Sequence, residues 1–246
     1  EKLSIPFQVI DLSKEYKNKI VDYMFEEYKN GRTPNPDVLC NREIKFDIFL
    51  DIAINLGADY IATGHYAQIK QSKKNNQTLF SLLAGRDKSK DQSYFLCQLN
   101  QSQLSKTMFP IGQYEKKKVR QIAEENDLIT ANKKDSQGLC FIGKVKLPDF
   151  LQQRLKPKKG QVILIDQNHD CFKSANKLND VSYNSKEINY KKMDGQIIGD
   201  HNGAHFFTVG QRKGLSIGGR KKPIYVLGTD VVNNIVYVGE GSKHPG

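Results

Sequence analysis

The feature that most constrains this chain is a change of pattern near residue 150. Up to there, β-rich runs alternate with stretches of helical period. Residues 5–10 read as a strand ending at Asp11. Ser13 then opens a helix carrying Tyr16, Ile20, Tyr23, Met24 and Tyr28. Gly and Pro break the pattern over residues 31–36, after which Ile44, Ile48, Ile52 and Leu56 mark a second helix, stopped by Gly57. Residues 60–62 read as a buried strand ending at Thr63, Gly64 and His65. Strands alternating with helices predict an α/β fold with a parallel sheet, in which ligands bind at the carboxyl ends of strands. Asp11, Gly64 and His65 fall at such ends.

Beyond that, residues 71–77 are polar and read as a hairpin tip or loop, and residues 99–125 as largely helical, interrupted at Pro110 and Gly112. After Asp149 the helical period fades. Short β-rich runs follow at 161–165, 192–198, 205–209, 224–230 and 234–238, with Gly between them, which predicts one or more small β barrels. The expected division is therefore residues 1–149, a central β domain over 150–221, and the start of a further barrel over 222–246. The chain opens on Glu1 rather than Met and closes directly after a β-rich run, so it reads as an internal piece of a longer protein.

Charge narrows the function. The 246 residues carry a formal net charge of +11, and residues 101–160 hold 13 basic against 6 acidic side chains. An uncharged metabolite gives such an excess no purpose, whereas a polyanion does. Lysine used simply for solubility, in a sequence also rich in Asn and Ile, is the competing account, and charge alone leaves the two open. No apolar run approaches the roughly 18 residues a membrane helix needs, and the first ten residues lack a signal-peptide pattern. A cytoplasmic protein with no membrane partner is expected.

The four cysteines, Cys40, Cys97, Cys140 and Cys171, are far apart and lack CxxC spacing, so neither a zinc site nor a disulfide framework is indicated. Asp37 and Cys40 lie three apart where a helix begins. They read either as a carboxylate beside a thiol whose pKa the helix N-terminus lowers, or as an N-cap and a small core residue. Cys140 lies in a Gly-punctuated loop beside Lys133 and Lys134, which favours a thiolate; the other reading is a buried loop cysteine. Cys97 sits in an apolar run and is expected in the core, and Cys171 has nothing near it in sequence to activate it. Lys90, Asp91 and Gln92 precede an apolar segment, either as a capped helix start or as contacts to a nucleic-acid backbone. His201 and His205 are four apart, but on a poor helix, so no metal is expected.

Five stretches together resemble one family, the tRNA-specific 2-thiouridylases of the ATP-pyrophosphatase group. They are GRTPNPDVLCN at 31–41, ATGHY at 62–66, KDQSYFL at 90–96, DSQGLCFIG at 135–143 and FTVGQRKGL at 207–215. The resemblance implies a parallel-sheet ATP-pyrophosphatase (HUP-like) domain followed by small β barrels. It also implies an enzyme that uses ATP, with Mg2+, to adenylate the C2 oxygen of a wobble uridine and then brings in sulfur from a cysteine persulfide. By the family pattern Cys140 carries the sulfur, and Cys40 helps release it and can end disulfide-bonded to Cys140. Asp37 is the acid or base, and Asn35, Pro36 and Asp37 hold a base flipped from the anticodon stack. Gly64 matches a nucleotide contact, and Lys90, Asp91 and Gln92 match tRNA contacts. The implied partners are tRNAs for Lys, Glu and Gln and a sulfur donor, either a cysteine desulfurase or a sulfur-relay protein.

The sequence departs from the family at two places. A Ser-Gly-Gly-Val-Asp-Ser type phosphate loop is absent, and the C-terminal barrel stops soon after Pro223. The chain by itself is therefore expected to handle ATP poorly, which keeps a catalytically inactive tRNA-binding piece as the alternative. A redox-switched binding protein, with Cys40 and Cys140 as the switch, is a third reading.

Overall fold

The computed structural model describes residues 3–134, 138, 140, 143, 147–172 and 188–246. The chain divides into two units, residues 1–23 with 35–145, and residues 24–34 with 146–246.

In the first unit, α1 (Ser13–Tyr16) continues through a π-helical stretch, Lys17–Val21, into α2 (Asp22–Lys29), whose residues from Met24 onward count with the second unit. A second long helix runs from α3 (Pro36–Cys40) through a π-helical stretch, Asn41–Ile48, into α4 (Phe49–Asn55). The apolar positions of the two helices form a buried cluster of Tyr16, Ile20, Leu39, Cys40 and Ile44, with Cys140 packed against it. Strand β1 (Ile61–Ala62) pairs in parallel with β4 (Thr107–Met108). Phe46, Leu50, Ile61, Ala67, Leu96 and Phe109 form the core beside that pair.

The sequence reading of this unit needs two corrections. Residues 107–108, expected within a helix, form β4, because Thr107 and Ile61 are both buried in register with each other. Residues 5–10 have no strand partner among the described residues, and Ile5, Phe7 and Val9 are exposed; β-propensity does not make a strand without a neighbour to pair with. The polar stretch 71–77 is a hairpin tip, one of its two expected readings, with strand running up to the turn on both sides. β2 (Ala67–Lys74) and β3 (Gln77–Ala84) pair in full antiparallel register around Asn75 and Asn76, whose φ of 50° and 60° suits the two-residue hairpin turn. Gly112 is forced by crowding: a Cβ there would lie 1.7 Å from the Ala67 carbonyl oxygen. Helices α5 (Gln101–Ser105) and α6 (Lys116–Glu125) complete the unit, and α6 buries none of its residues.

The second unit holds α7 (Leu147–Leu151) and a four-stranded sheet in the order β6, β5, β8, β7. β5 (Gly160–Ile165) is antiparallel to β6 (Gly195–His201) and parallel to β8 (Ile235–Glu240), which is antiparallel to β7 (Ile224–Asp230). Both faces are buried: Val162, Val226, Val236 and Val238 lie on one, and Ile163, Ile165, Ile235 and Tyr237 on the other. That accounts for continuous apolar runs in place of alternation. The division expected at 221 cuts through this sheet, because β8 pairs directly with β5. Residues 205 and 206, which open the β-rich run 205–209, lie in a 3-10 turn, Ala204–Phe206, instead. Among the described residues no helix is long and apolar enough to cross a membrane.

Candidate active site

The site grows from the start of α3. Asn35 caps the helix, its Oδ1 accepting from the Val38 amide at 3.2 Å, and Pro36 takes the first helical position, where its missing N–H and fixed φ fit. The cap is thus Asn35 and not Asp37. This frees the Asp37 carboxylate for other work, in a first turn whose amides favour negative charge. Its Oδ1 is buried and has no hydrogen-bond partner among the described residues.

Cys40, fully buried, meets Cys140 at the other side of the same cluster, and both are free thiols. The expectation that the helix N-terminus lowers the Cys40 pKa is overturned. Cys40 lies at the end of α3, beyond the free first-turn amides, and donates to the Cys140 sulfur; that bond, with burial, pushes its pKa up. Cys140 moves the opposite way. Its pKa is lowered by the Cys40 hydrogen bond and the Lys45 ammonium, which outweigh burial and the nearby Asp37. The cation beside Cys140 is therefore Lys45, at 3.9 Å from its sulfur, while Lys133 and Lys134 are exposed. Tyr16 completes the enclosure, its hydroxyl donating to the Cys140 carbonyl at 2.6 Å. Burial beside Cys40, Cys140 and Asp37 raises the Tyr16 pKa, so it stays a donor.

Sequence reasoning missed Lys45, Asn41 and Tyr16. A signal existed, since Asn41 and Lys45 are four apart on a helix, the spacing that lets side chains meet. The π-helical stretch in which they lie is a geometry often found at functional sites.

A cavity of about 580 Å³ opens beside this cluster, with Asp11, Tyr16, Lys17, Ile44, Lys45 and Thr63 in its wall. Gly64 follows Thr63 at the carboxyl end of β1, and only Ile111 would come within 4.0 Å of a Cβ there, so the position is open to a neighbour. A second cleft of about 410 Å³ is lined by Asn35, Tyr94, Arg42, Glu43, Tyr23 and Cys97. Cys97, expected in the core, is exposed, because the 3-10 turn Ser93–Leu96 puts Leu96 inward in its place.

Of Lys90, Asp91 and Gln92, it is Gln92 that lies against the segment after Gly64. Gln92 pairs with Tyr66 twice, its amide nitrogen donating to the Tyr66 carbonyl and its Oε1 accepting from the Tyr66 amide, both at 3.0 Å. The Asp91 carboxylate accepts from the Gly85 amide and from both the amide and the hydroxyl of Ser93. Partial burial works against its ionisation, and these bonds still bring its pKa below the usual value. Two of the three side chains thus brace a loop. In the 135–143 motif, Asp135, Ser136, Gln137, Leu139, Phe141 and Ile142 lie outside the described residues. In the second unit, Gln211 braces its own turn, accepting from the Thr208 amide and donating to the Lys213 carbonyl. Cys171 has a neighbour the sequence did not suggest, with His169 Nδ1 at 3.1 Å from its sulfur. Among the described residues no group of three or more His, Cys, Asp or Glu could hold a metal ion.

Comparison with known proteins gives a consistent result. The family described as tRNA methyl transferase HUP domain matches residues 1–144, and the one described as tRNA methyl transferase PRC-barrel domain matches residues 180–240. The whole chain is 57% identical to the tRNA-specific 2-thiouridylase MnmA of Christiangramia forsetii and 57% identical to that of Flavobacterium johnsoniae, covering 64% of each. It is 45% identical to the protein of the same name from Halalkalibacterium halodurans, covering 57% of it. The chain therefore spans less than two thirds of the length of these relatives.

Proposed function

The chain belongs to the tRNA-specific 2-thiouridylase family, and on that premise we propose that it carries the sulfur-transfer half of an enzyme that replaces the C2 oxygen of a wobble uridine in tRNA. The observation that supports this most directly is the meeting of two free thiols, Cys40 and Cys140, with a lysine ammonium and the Asp37 carboxylate, one buried oxygen of which has no hydrogen-bond partner among the described residues. A carboxylate beside two thiols is a ready acceptor for a proton that a sulfur gives up.

The sequence of steps follows from the sulfurs. The Cys140 thiolate attacks the terminal sulfur of a donor persulfide, R–S–SH, and R–S⁻ leaves, so that Cys140 becomes Cys140–S–SH. The terminal sulfur then attacks the activated C2 carbon, the activated oxygen departs, and uridine is joined to Cys140 through C2–S–S. Cys40 gives up its proton and attacks the Cys140 sulfur. That breaks the S–S bond, releases 2-thiouridine and leaves a Cys40–Cys140 disulfide for a thiol reductant to reopen. Asp37 accepts the proton in this reading. The donor is a persulfide-bearing desulfurase or relay protein, and the substrates are tRNAs of the Lys, Glu and Gln type. Asn35 and Pro36 border the cleft that takes the base, with Gly64 beside the nucleotide.

Activation of the oxygen by ATP is a different matter. The 580 Å³ cavity offers Lys17, Lys45, Asp11 and Thr63 among apolar neighbours, but no glycine-rich loop cradles a triphosphate there. No step through ATP or Mg2+ is assigned to these residues. Adenylation belongs to a protein of the relatives' full length, and the chain by itself is expected to bind tRNA without thiolating it.

The test is thiolation of unmodified tRNA with ATP and a persulfide donor, by this chain alone and within a protein of the relatives' length. Cys140→Ser is expected to abolish sulfur incorporation in the longer protein, and Cys40→Ser to stall with tRNA disulfide-linked to Cys140. Thiolation that survives Cys140→Ser overturns the reading. Retention of tRNA by the longer protein with no thiolation at all favours a binding-only role.

A further inference from the structure

One charged side chain at the thiol pair has no part in the steps above. Lys45 lies in the Asn41–Ile48 stretch, and its ammonium donates to Asn41 Oδ1 at 3.0 Å and to the Cys140 sulfur at 3.9 Å. Asn41 is itself fixed, since it is buried at 2% exposure and its Nδ2 donates to the Phe95 carbonyl at 2.9 Å. The acidic residues of the same Asn41–Ile48 stretch are occupied elsewhere: Glu43 pairs with Lys19 and Arg42, and Asp47 with Lys19. Among the described residues Lys45 makes no ion pair with a carboxylate, so its charge is directed at sulfur.

We propose that Lys45, aimed by Asn41, decides which cysteine is the nucleophile, holding the Cys140 sulfur as the anion and leaving Cys40 protonated as a donor to it. The inference rests on the sulfur-transfer reading. The order of the two thiols has a chemical consequence. Cys140 must be anionic to displace R–S⁻ from the donor. If Cys40 were the anion at that stage, it would attack the Cys140 Sγ that carries the incoming sulfur. Cys40–S⁻ with Cys140–S–SH would give the Cys40–Cys140 disulfide and HS⁻, and the sulfur would be lost before it reached the uridine.

The groups facing the pair are few and their signs are clear. Tyr16, from α1, binds the Cys140 carbonyl and stays neutral. From α3, the Cys40 thiol donates to the anion, and Asp37 opposes it, as a hydrogen-bond acceptor that favours the Cys140 thiol and by its negative charge. His65 also lies near Lys45, and burial together with that ammonium keeps it uncharged at neutral pH. Lys45 is thus the one cation at the pair among the described residues, set against the Asp37 carboxylate.

The experiment follows the pH dependence of iodoacetamide alkylation at each cysteine, resolved by peptide mass spectrometry, on the chain without tRNA or ATP. The exposed Cys97 serves as an internal reference for reagent strength. In the parent, Cys140 is expected to titrate below Cys40. Lys45→Met should raise the Cys140 midpoint by one to two pH units, about a tenfold to hundredfold loss of thiolate near neutrality, and Lys45→Arg should recover most of it. An unchanged midpoint in folded Lys45→Met overturns the proposal. If Lys45→Met does not fold, the parent alone decides, because a Cys40 midpoint at or below that of Cys140 overturns it as well. Failure of tRNA thiolation would remove the functional reading without moving either midpoint, so the two ideas fail separately.

Discussion

At the scale of single residues, the site depends on which polar atoms are satisfied and which are left waiting. Asn35 takes the capping role that the sequence offered to Asp37, and the carboxylate is thereby left with a bare oxygen beside two sulfurs. Spacing left Asp37, Cys40 and Cys140 with two readings each and only the family resemblance singled them out, but neither gave the direction in which each thiol titrates, because the deciding charge, Lys45, lies 95 residues from Cys140 in the chain. His65 shows the same field from another side. Its ring sits between Phe46 and Phe109, and burial with the Lys45 charge pulls its pKa from 6.5 to about 4. Between those values the unfolded chain binds the proton and the folded chain does not. Stability is therefore full above pH 6.5 and falls as pH drops toward 4, by about 3 kcal/mol in all. Urea midpoints measured across this window should fall steeply in the parent and more gently in His65→Gln. Parallel curves would assign the acid loss to other groups.

At the scale of elements, the long periodic segments were readable and the short or unpaired ones were not. Both long helices show in their apolar spacing, yet a 3.6-residue count cannot reveal the π-helical stretches that bring Asn41 and Lys45 to the thiols. β4 is two residues long and is made by its partner β1, so no local signal announces it. Gly112 was legible only as a break in a helix, whereas its real constraint is the close approach of β2. A Cβ there would meet backbone, the Ala67 carbonyl oxygen at 1.7 Å, and backbone at the start of a paired strand cannot swing aside as a side chain can. Gly112→Ala is therefore expected to destabilise by more than about 2 kcal/mol, read as a lowered urea midpoint with an unchanged slope. A loss within about 0.5 kcal/mol would mean that the turn after Phe109 relaxes freely, and the tight seat of β2 would then carry no weight.

At the scale of the whole molecule the net charge of +11 is the property that a polyanionic substrate meets first. A basic excess spread evenly for solubility and one gathered for binding differ in how association responds to salt. Helix α6 supplies the contrast, because it buries no residue and presents Lys117, Lys118 and Arg120 to solvent within the basic stretch 101–160. Each phosphate neutralised by a basic side chain contributes about 0.7–0.9 to the slope of log affinity against log salt. Replacing these three residues by Gln should flatten the slope for tRNA by about 2 and weaken binding alike for different tRNAs. The control removes the same charge elsewhere, at Lys70, Lys73 and Lys74, which are exposed on the β2 strand of the hairpin. A smaller change there assigns the phosphate contacts to α6. Equal changes in both triples would mean that tRNA responds only to total charge, and the gathering of lysines over residues 101–160 would then reflect solubility.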